Sequence, residues 1–401
     1  MKILHTADWH LGKRLDSFYR LDEQRDVLNE ICEIADYEKV DAVIIAGDLF
    51  DAFNPPVEAI ELLYKTLKRL TNNGKRPVIA IAGNHDSPNR IDSPDPLARE
   101  CGILFMGLPN THLRRIRLEN GFEITKTDEG FMEFNLPQHN YPLRVIATPY
   151  ANEVRLKEYL GEEKEQGLQT TLKNRWEELA DKYCDKQGVN ILATHLYMLK
   201  RGGAILEEPD GEKPLKIGNA DLVYSDAIPS QIQYAALGHL HRHQNVGSDN
   251  QPVVYSGSPL VYSFSEAGQQ KYVSIINAKP NKIVEVKRVP LKSGKQLVCK
   301  KFNCIDKAVE WLSDNQNTMV ELTIESNDFL KSDDLKRLRN AHNQIVHIIP
   351  IVTNSHKLNS ETKQVNLNQD ITSLFTDYFK SVKGQNPNEE ILDLFKEIIN
   401  Q

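Results

Sequence analysis

Residues 40–51 read VDAVIIAGDLFD. The run Val43-Ile44-Ile45-Ala46 is wholly apolar, without the alternation of a half-exposed strand. Such a run fits a strand covered on both faces. It stops at Gly47 and Asp48, with Asp51 following in the same loop. Open α/β sheets bind their ligands just beyond the carboxyl ends of such strands. Working outward, the same unit recurs. Upstream, KILHTADWH (2–10) leads through Ile3 and Leu4 into a polar cluster, and downstream PVIAIAGNHD (77–86) does the same. Between these runs, residues 24–38 place Val27, Leu28, Ile31, Ile34 and Ala35 at helical spacing. Residues 57–70 do so with Val57, Ile60, Leu63, Tyr64, Leu67 and Leu70, after Pro55 and Pro56 at the helix start. Strand, helix, strand, helix, strand predicts a layered α/β domain.

The middle of the chain is less regular. RVIATPY (144–150), VNILATHLY (189–197), YAALGHLHRHQ (234–244), PVVYSGSP (252–259) and KYVSIINA (271–278) read as further strands. Residues 153–187 are charged and helix-like, and residues 200–220 are a Gly/Pro-rich loop. Composition shifts near 280. Beyond it, strands are expected at 297–304, 318–325 and 345–352 and helices at 306–315 and 333–343, as a small α/β cap. Residues 354–370 are polar and linker-like. Two short amphipathic helices follow, one with Leu374, Phe375, Tyr378 and Phe379, the other with Ile391, Leu394, Phe395 and Ile398. The expected organisation is a catalytic domain over 1–280, a cap over 281–353, a linker over 354–370 and a helix pair over 371–401.

The chain has 401 residues, enough for two or three domains and for a large core without staples. Five cysteines form no CxxC pair, which excludes a disulfide scaffold and a Cys-rich zinc site and fits a reducing, cytoplasmic setting. The opening MKILHTADWH has no apolar h-region, so no signal peptide is expected, and no apolar run is long enough for a membrane span. The net charge of −7 argues against coating nucleic acid by bulk positive charge. It leaves a metal-dependent nuclease open.

The chemistry lies in five clusters: Asp8-x-His10, Gly47-Asp48-x-x-Asp51, Gly83-Asn84-His85-Asp86, Thr194-His195 and Gly238-His239-x-His241. Each sits where an apolar run ends, so the five loops should converge on one sheet edge. Imidazoles, carboxylates and an amide without thiolates are the donor mix of a two-metal site suited to manganese, iron or zinc. The i,i+2 pairs Asp8/His10 and His239/His241 would face one cavity if the backbone there is extended. Glycines before Asp48, Asn84 and His239 allow tight turns or close approach. Taken singly, each cluster is equally well a turn, a helix cap or an interior histidine. Their joint order favours the metal site.

DWH, GDLFD, GNHD, TH and GHLH, in this order, resemble the signature of the calcineurin-like metallophosphoesterases. The opening MKILHTADWHLGK, with GDLFDAFNPP and LGHLHRHQ, is similar to the DNA-repair nuclease branch of that family. The resemblance is strongest over residues 1–260. It implies a β-sandwich flanked by helices. It also implies two divalent ions, Mn²⁺ foremost with Mg²⁺, Fe²⁺ or Zn²⁺ as alternatives. Asp8, His10 and His241 would hold one ion and Asn84, His195 and His239 the other, with Asp48 bridging. His85 would be the proton donor. Asp51 lies in reach as a charge partner of His85, and Asp86 orders its loop.

The implied activity is double-strand exonuclease and hairpin or single-strand endonuclease, in repair and recombination with an SMC-like ATPase. The alternatives are an esterase of nucleotides or small phosphodiesters, and a non-catalytic DNA-end scaffold. Candidate contacts to duplex DNA are Lys13, Arg14, Arg90, Lys200 and Arg201, besides the Arg114, Arg115 and Arg117 group. Phe375, Phe379, Leu394 and Phe395 are the candidate anchors for the ATPase, within an expected homodimer-containing heterotetramer.

Overall fold

The computed structural model describes the chain except residues 120, 162–163, 207–221, 328–329, 353–370, 384–386, 388–390, 393–394 and 396–401. The expected linker, most of the loop 200–220 and Leu394 therefore lie outside the described residues.

Two mixed sheets carry the structure. The strands of the first are β1 (Lys2–Thr6), β2 (Ala42–Ala46), β3 (Val78–Ile81) and β4 (Ile103–Met106). Those of the second are β5 (Glu123–Asp128), β6 (Phe131–Asn135), β7 (Leu143–Thr148), β8 (Val189–His195), β9 (Tyr234–Gly238), β10 (Gln244–Asn245) and β11 (Val253–Tyr255). Then β12 (Tyr272–Asn277) and β13 (Glu285–Pro290) return to the first. The sheet orders are β13-β12-β1-β2-β3-β4 and β10-β11-β9-β8-β7-β6-β5. Within them β1, β2, β3 and β4 run parallel, as do β7, β8, β9 and β11.

Burial explains the apolar runs. Ile3, Ile44, Ile79 and Leu104 from the first sheet pack with Met132, Val145, Ile191 and Ala236 from the second in one buried core. The opposite face of the first sheet, Leu4, Val43, Ile45 and Val78, is covered by α1 (Leu21–Tyr37) and α2 (Val57–Leu70). The outer face of the second, Ile146, Leu192 and Leu237, is covered by α3 (Lys164–Tyr183). That helix is highly charged, yet Leu168, Leu172, Trp176 and Ala180 form a buried stripe along it. The architecture is the helix-flanked β-sandwich that the family resemblance implies.

The region after 290 holds a three-stranded sheet ordered β14 (Gln296–Phe302), β15 (Thr318–Ser326), β16 (Ile345–Val352). Helices α4 (Ile305–Asp314) and α5 (Ser332–Ala341) accompany it. These match the expected cap elements to within a few residues. Strand β13 falls inside the span expected for the cap, yet it pairs with β12 as an edge of the first sheet. The chain divides into one compact unit of Met1–Ile324 with Lys331–Ile349, and another of Glu325–Leu330 with Pro350–Gln401. In the second unit, α6 (Ile371–Lys383) stacks Phe375 on Phe395 with ring centroids 3.8 Å apart. Among the described residues no helix is long and apolar enough to cross a membrane.

Strands β4, β5 and β6 lie outside the sequence expectations. EITKTD in β5 is only partly buried at a sheet edge, so it lacks a strong apolar pattern. An Ile44→Ala substitution removes a fully buried side chain between the two sheets. It should cost about 2–5 kcal/mol of stability in urea unfolding.

Candidate metal centre

Every cluster singled out in the sequence sits just past, or at, the carboxyl end of a parallel strand. Asp8 and His10 follow β1, Asp48 follows β2, Asn84 and His85 follow β3, His195 ends β8, and His239 and His241 follow β9. Because β1–β3 belong to one sheet and β8–β9 to the other, the sandwich brings the two sets together at one end. Asp8, His10, Asp48, Asn84, His85, His195, His239 and His241 are all buried.

The loops achieve this by an unusual backbone, and here one expectation fails. Asp8, His10, Asp48 and His239 have φ of 54°, 45°, 48° and 102°. The i,i+2 pairs are not on extended backbone. Their side chains converge through left-handed turns, a conformation that costs a non-glycine residue on the order of 1–3 kcal/mol. Gly47 has φ of 91° and lies against the His195 ring, and a Cβ on Gly238 would collide with the Ala46 carbonyl. Side chains there would hold the sheet ends apart.

Donor atoms crowd the interior. The Nδ1 of His195 is 2.9 Å from the Ala46 carbonyl oxygen, which can only accept, so Nδ1 carries a proton. The Nε2 of His195 lies 2.9 Å from Asn84 Oδ1 and 3.2 Å from Asp48 Oδ2. A neutral His195 would aim a lone pair at two oxygens. Nearby, the Nε2 atoms of His10 and His241 face each other at 3.1 Å, and His10 Nε2 is 3.6 Å from Asp48 Oδ2. Asp8 Oδ1 accepts from the main-chain N–H of His239 at 2.8 Å, and Asp48 Oδ1 from that of His85 at 2.9 Å. Both Oδ2 atoms are buried; that of Asp8 accepts no hydrogen bond, and that of Asp48 faces the imidazoles of His195 and His10.

Without cations the site takes up protons. Burial alone would lower His195, but Asp48 and Asp8 outweigh it and lift its pKa to about 9. Burial raises Asp8 to about 7. Burial would also raise Asp48, yet His195, His10 and His85 together hold it well below the usual carboxylate range. Two groups bring one potential ligand atom per residue within 4.8 Å of one another: Asp8, His10 and Asp48, and His10, Asp51 and His85. Buried carboxylate and amide oxygens facing imidazole nitrogens suit divalent cations.

Other candidates have different settings. The ring of His85 bonds through Nδ1 to the main-chain oxygen of Asp51 at 2.8 Å. The Asp51 carboxylate instead meets Lys13 Nζ at 3.1 Å and lies 3.6 Å from His10 Nδ1. Its hydrogen bond to His85 runs through the main chain, while its carboxylate lies within 4.8 Å of a His85 ring nitrogen as well as beside Lys13 and His10. Asp86 accepts from the N–H groups of Gly83, Leu49 and Phe50, tying the loops after β2 and β3 together. Lys13 is largely buried against Asp51, so a role toward DNA would require that pair to open. Arg14, Arg90, Lys200 and Arg201 are exposed. Arg90 donates to Phe53 O and Asn54 Oδ1, and Arg201 pairs with Asp226.

Sequence reasoning missed a supporting layer. Glu266 Oε1 lies 3.1 Å from His241 Nδ1, and Glu266 Oε2 pairs with Lys271 at 2.5 Å. Buried Arg155 donates to the carbonyls of Gly83 and Asp86 at 2.8 and 2.9 Å and lies over the Tyr150 ring. Gln24 donates to the His10 carbonyl at 2.7 Å.

A two-layered sandwich with this donor set at one end defines a metal-dependent phosphoesterase. The calcineurin-like phosphoesterase family matches residues 1–243, and the chain belongs to that family, in its SbcD branch. It is 38% identical to the SbcD subunit of the SbcCD nuclease of Bacillus subtilis, over 99% of this chain and 97% of that one. It is 27% identical to the SbcD subunit of the same nuclease from Staphylococcus epidermidis, over 100% and 98% of the two chains.

Asp48 touches both halves of the donor set. An Asp48→Ala variant should lose bound metal and all turnover, checked by elemental analysis of the dialysed protein beside a phosphodiesterase assay. Two tightly held ions with activity retained would overturn the ligand set.

Proposed function

We propose that this chain is a metal-dependent DNA nuclease, the catalytic subunit of a repair assembly with an SbcC-type ATPase. The observation that carries the reading is the His195–Asn84–Asp48 convergence, an imidazole nitrogen buried within 2.9 Å of an amide oxygen and 3.2 Å of a carboxylate oxygen. Full-length similarity to the SbcD subunits of two SbcCD nucleases favours DNA over small diesters, because it extends past the catalytic segment into the last third of the chain.

Asp8, His10 and His241 would hold one divalent ion, Asn84, His195 and His239 the second, and Asp48 would bridge. Mn²⁺ is our choice for both. Such ions would supply charge neutralisation for the phosphodiester and a lowered pKa for an attacking water. The chain itself contributes the leaving-group proton. The Asp51 carbonyl holds His85 Nδ1–H, which leaves Nε2 as the ring atom that exchanges its proton. As imidazolium, His85 would donate from Nε2 to the departing 3′-oxygen of the sugar. The Asp48 carboxylate, fixed by the His85 main-chain N–H, keeps that residue beside the donor set. Duplex ends and hairpins are the substrates we assign, gripped by phosphate contacts rather than base readout. Arg14, Arg90, Lys200 and Arg201 are the candidates for those contacts. A homodimer within a heterotetramer completes the proposed assembly.

Phe375 and Phe379 on α6, with Phe395 stacked on Phe375, offer apolar anchors, and a short helix is marginal alone in water and gains by packing on a partner. Leu394 is assigned the same role from sequence.

Two outcomes test this reading. A His85→Gln variant should keep both ions and lose roughly 10²–10⁴-fold in cleavage rate on linear duplex with Mn²⁺. Loss of an ion in that variant would contradict its role as a proton donor. A chain ending at Val352 should still trim short duplexes with Mn²⁺ but fail to co-purify with an SbcC-type ATPase. Undiminished ATPase binding by calorimetry would move the partner site elsewhere.

A further inference from the structure

The imidazole of His241 is gripped on the side away from the donor cluster. Its Nδ1 lies 3.1 Å from Glu266 Oε1, while its Nε2 faces that of His10 at 3.1 Å. Glu266 is 3% exposed and lies in a short helical turn, Phe264–Glu266, well outside the signature segments. Lys271, also buried, pairs with Glu266 Oε2 and donates to the His241 carbonyl at 2.9 Å. Ser263 Oγ adds a contact to Glu266 at 3.3 Å. A buried ion pair is weak evidence for stability, because desolvation offsets much of its attraction. This pair instead brackets one residue, through its ring and through its main chain.

We propose that Glu266, held by Lys271, is a positioning residue for the metal centre: it fixes His241 as the Nδ1–H tautomer and so aims the Nε2 lone pair at the cation. A carboxylate accepts but does not donate, so the ring must place its proton on Nδ1. Outer partners of this kind typically set metal affinity by 10–100-fold. The inference rests on the two-ion reading of the site.

The test combines spectroscopy with metal binding. In the intact metal-free protein labelled at histidine ring nitrogens, His241, assigned by its absence in a His241→Asn variant, should show a protonated Nδ1 and, when neutral, an unprotonated Nε2. A neutral Nε2–H ring overturns the proposal without any substitution at Glu266. For binding, Mn²⁺ is titrated into the parent, Glu266→Gln and the double variant Glu266→Gln/Lys271→Met. The double variant removes both charges together, so neither is left buried without its counter-ion. It should bind one of the two ions 10–100-fold more weakly than the parent. Parental affinity in the double variant reduces the pair to a structural one and overturns the proposal. Failure of the parent itself to bind two ions would count against the two-ion reading, while the tautomer measurement would still judge Glu266.

Discussion

At the centre of this molecule, Asp48 and Asn84 present oxygens to an imidazole nitrogen already committed, by its other ring atom, to the Ala46 carbonyl. In a buried pocket three such groups repel one another unless positive charge lies among them. A proton on His195 meets that need in the metal-free protein, and divalent cations would meet it in the working one. Much of the surrounding structure holds these groups in contact. Two sheets pack so that their parallel strands end at the same place, and left-handed turns at Asp8, His10, Asp48 and His239 fold the side chains inward. Asp86 and Arg155 lock the carrying loops to each other and to the scaffold.

This arrangement explains why the strands look as they do. Ala42–Ala46 and Val78–Ile81 are apolar throughout because one face meets the second sheet and the other meets α1 and α2. Rigid, doubly covered strands are suitable mounts for a site whose geometry must be held closely, and the chemistry is confined to their ends. Strain is tolerated there because burial on all sides over-determines the turns.

Much of the site was legible in the sequence for a physical reason. Asp8, Asp48, Asn84, His195 and His239 each lie at or just beyond the end of an apolar run, so one-dimensional pattern and three-dimensional place coincide. The supporting residues were not legible. Glu266 stands 25 residues from His241, and Arg155 stands 72 and 69 residues from the carbonyls it caps. Neither has a local motif, and only the fold brings them near. Period-two logic assumes extended chain, whereas Asp8, His10 and His239 lie on turns with positive φ, so the i,i+2 spacing does not carry the argument there. Edge strands Glu123–Asp128 and Glu285–Pro290 escaped or were misplaced because half-exposed strands carry little apolar pattern.

On the two-ion reading, cations would fill the space between the sheet ends, held in part by Asp48. Crystals grown or soaked with Mn²⁺ and measured at the manganese edge test this directly. Two anomalous peaks per chain are expected, one among Asp8, His10 and His241 and one among Asn84, His195 and His239, both in reach of the Asp48 carboxylate. A single peak, or peaks only at surface carboxylates with His195 still protonated between Asn84 and Asp48, would contradict it.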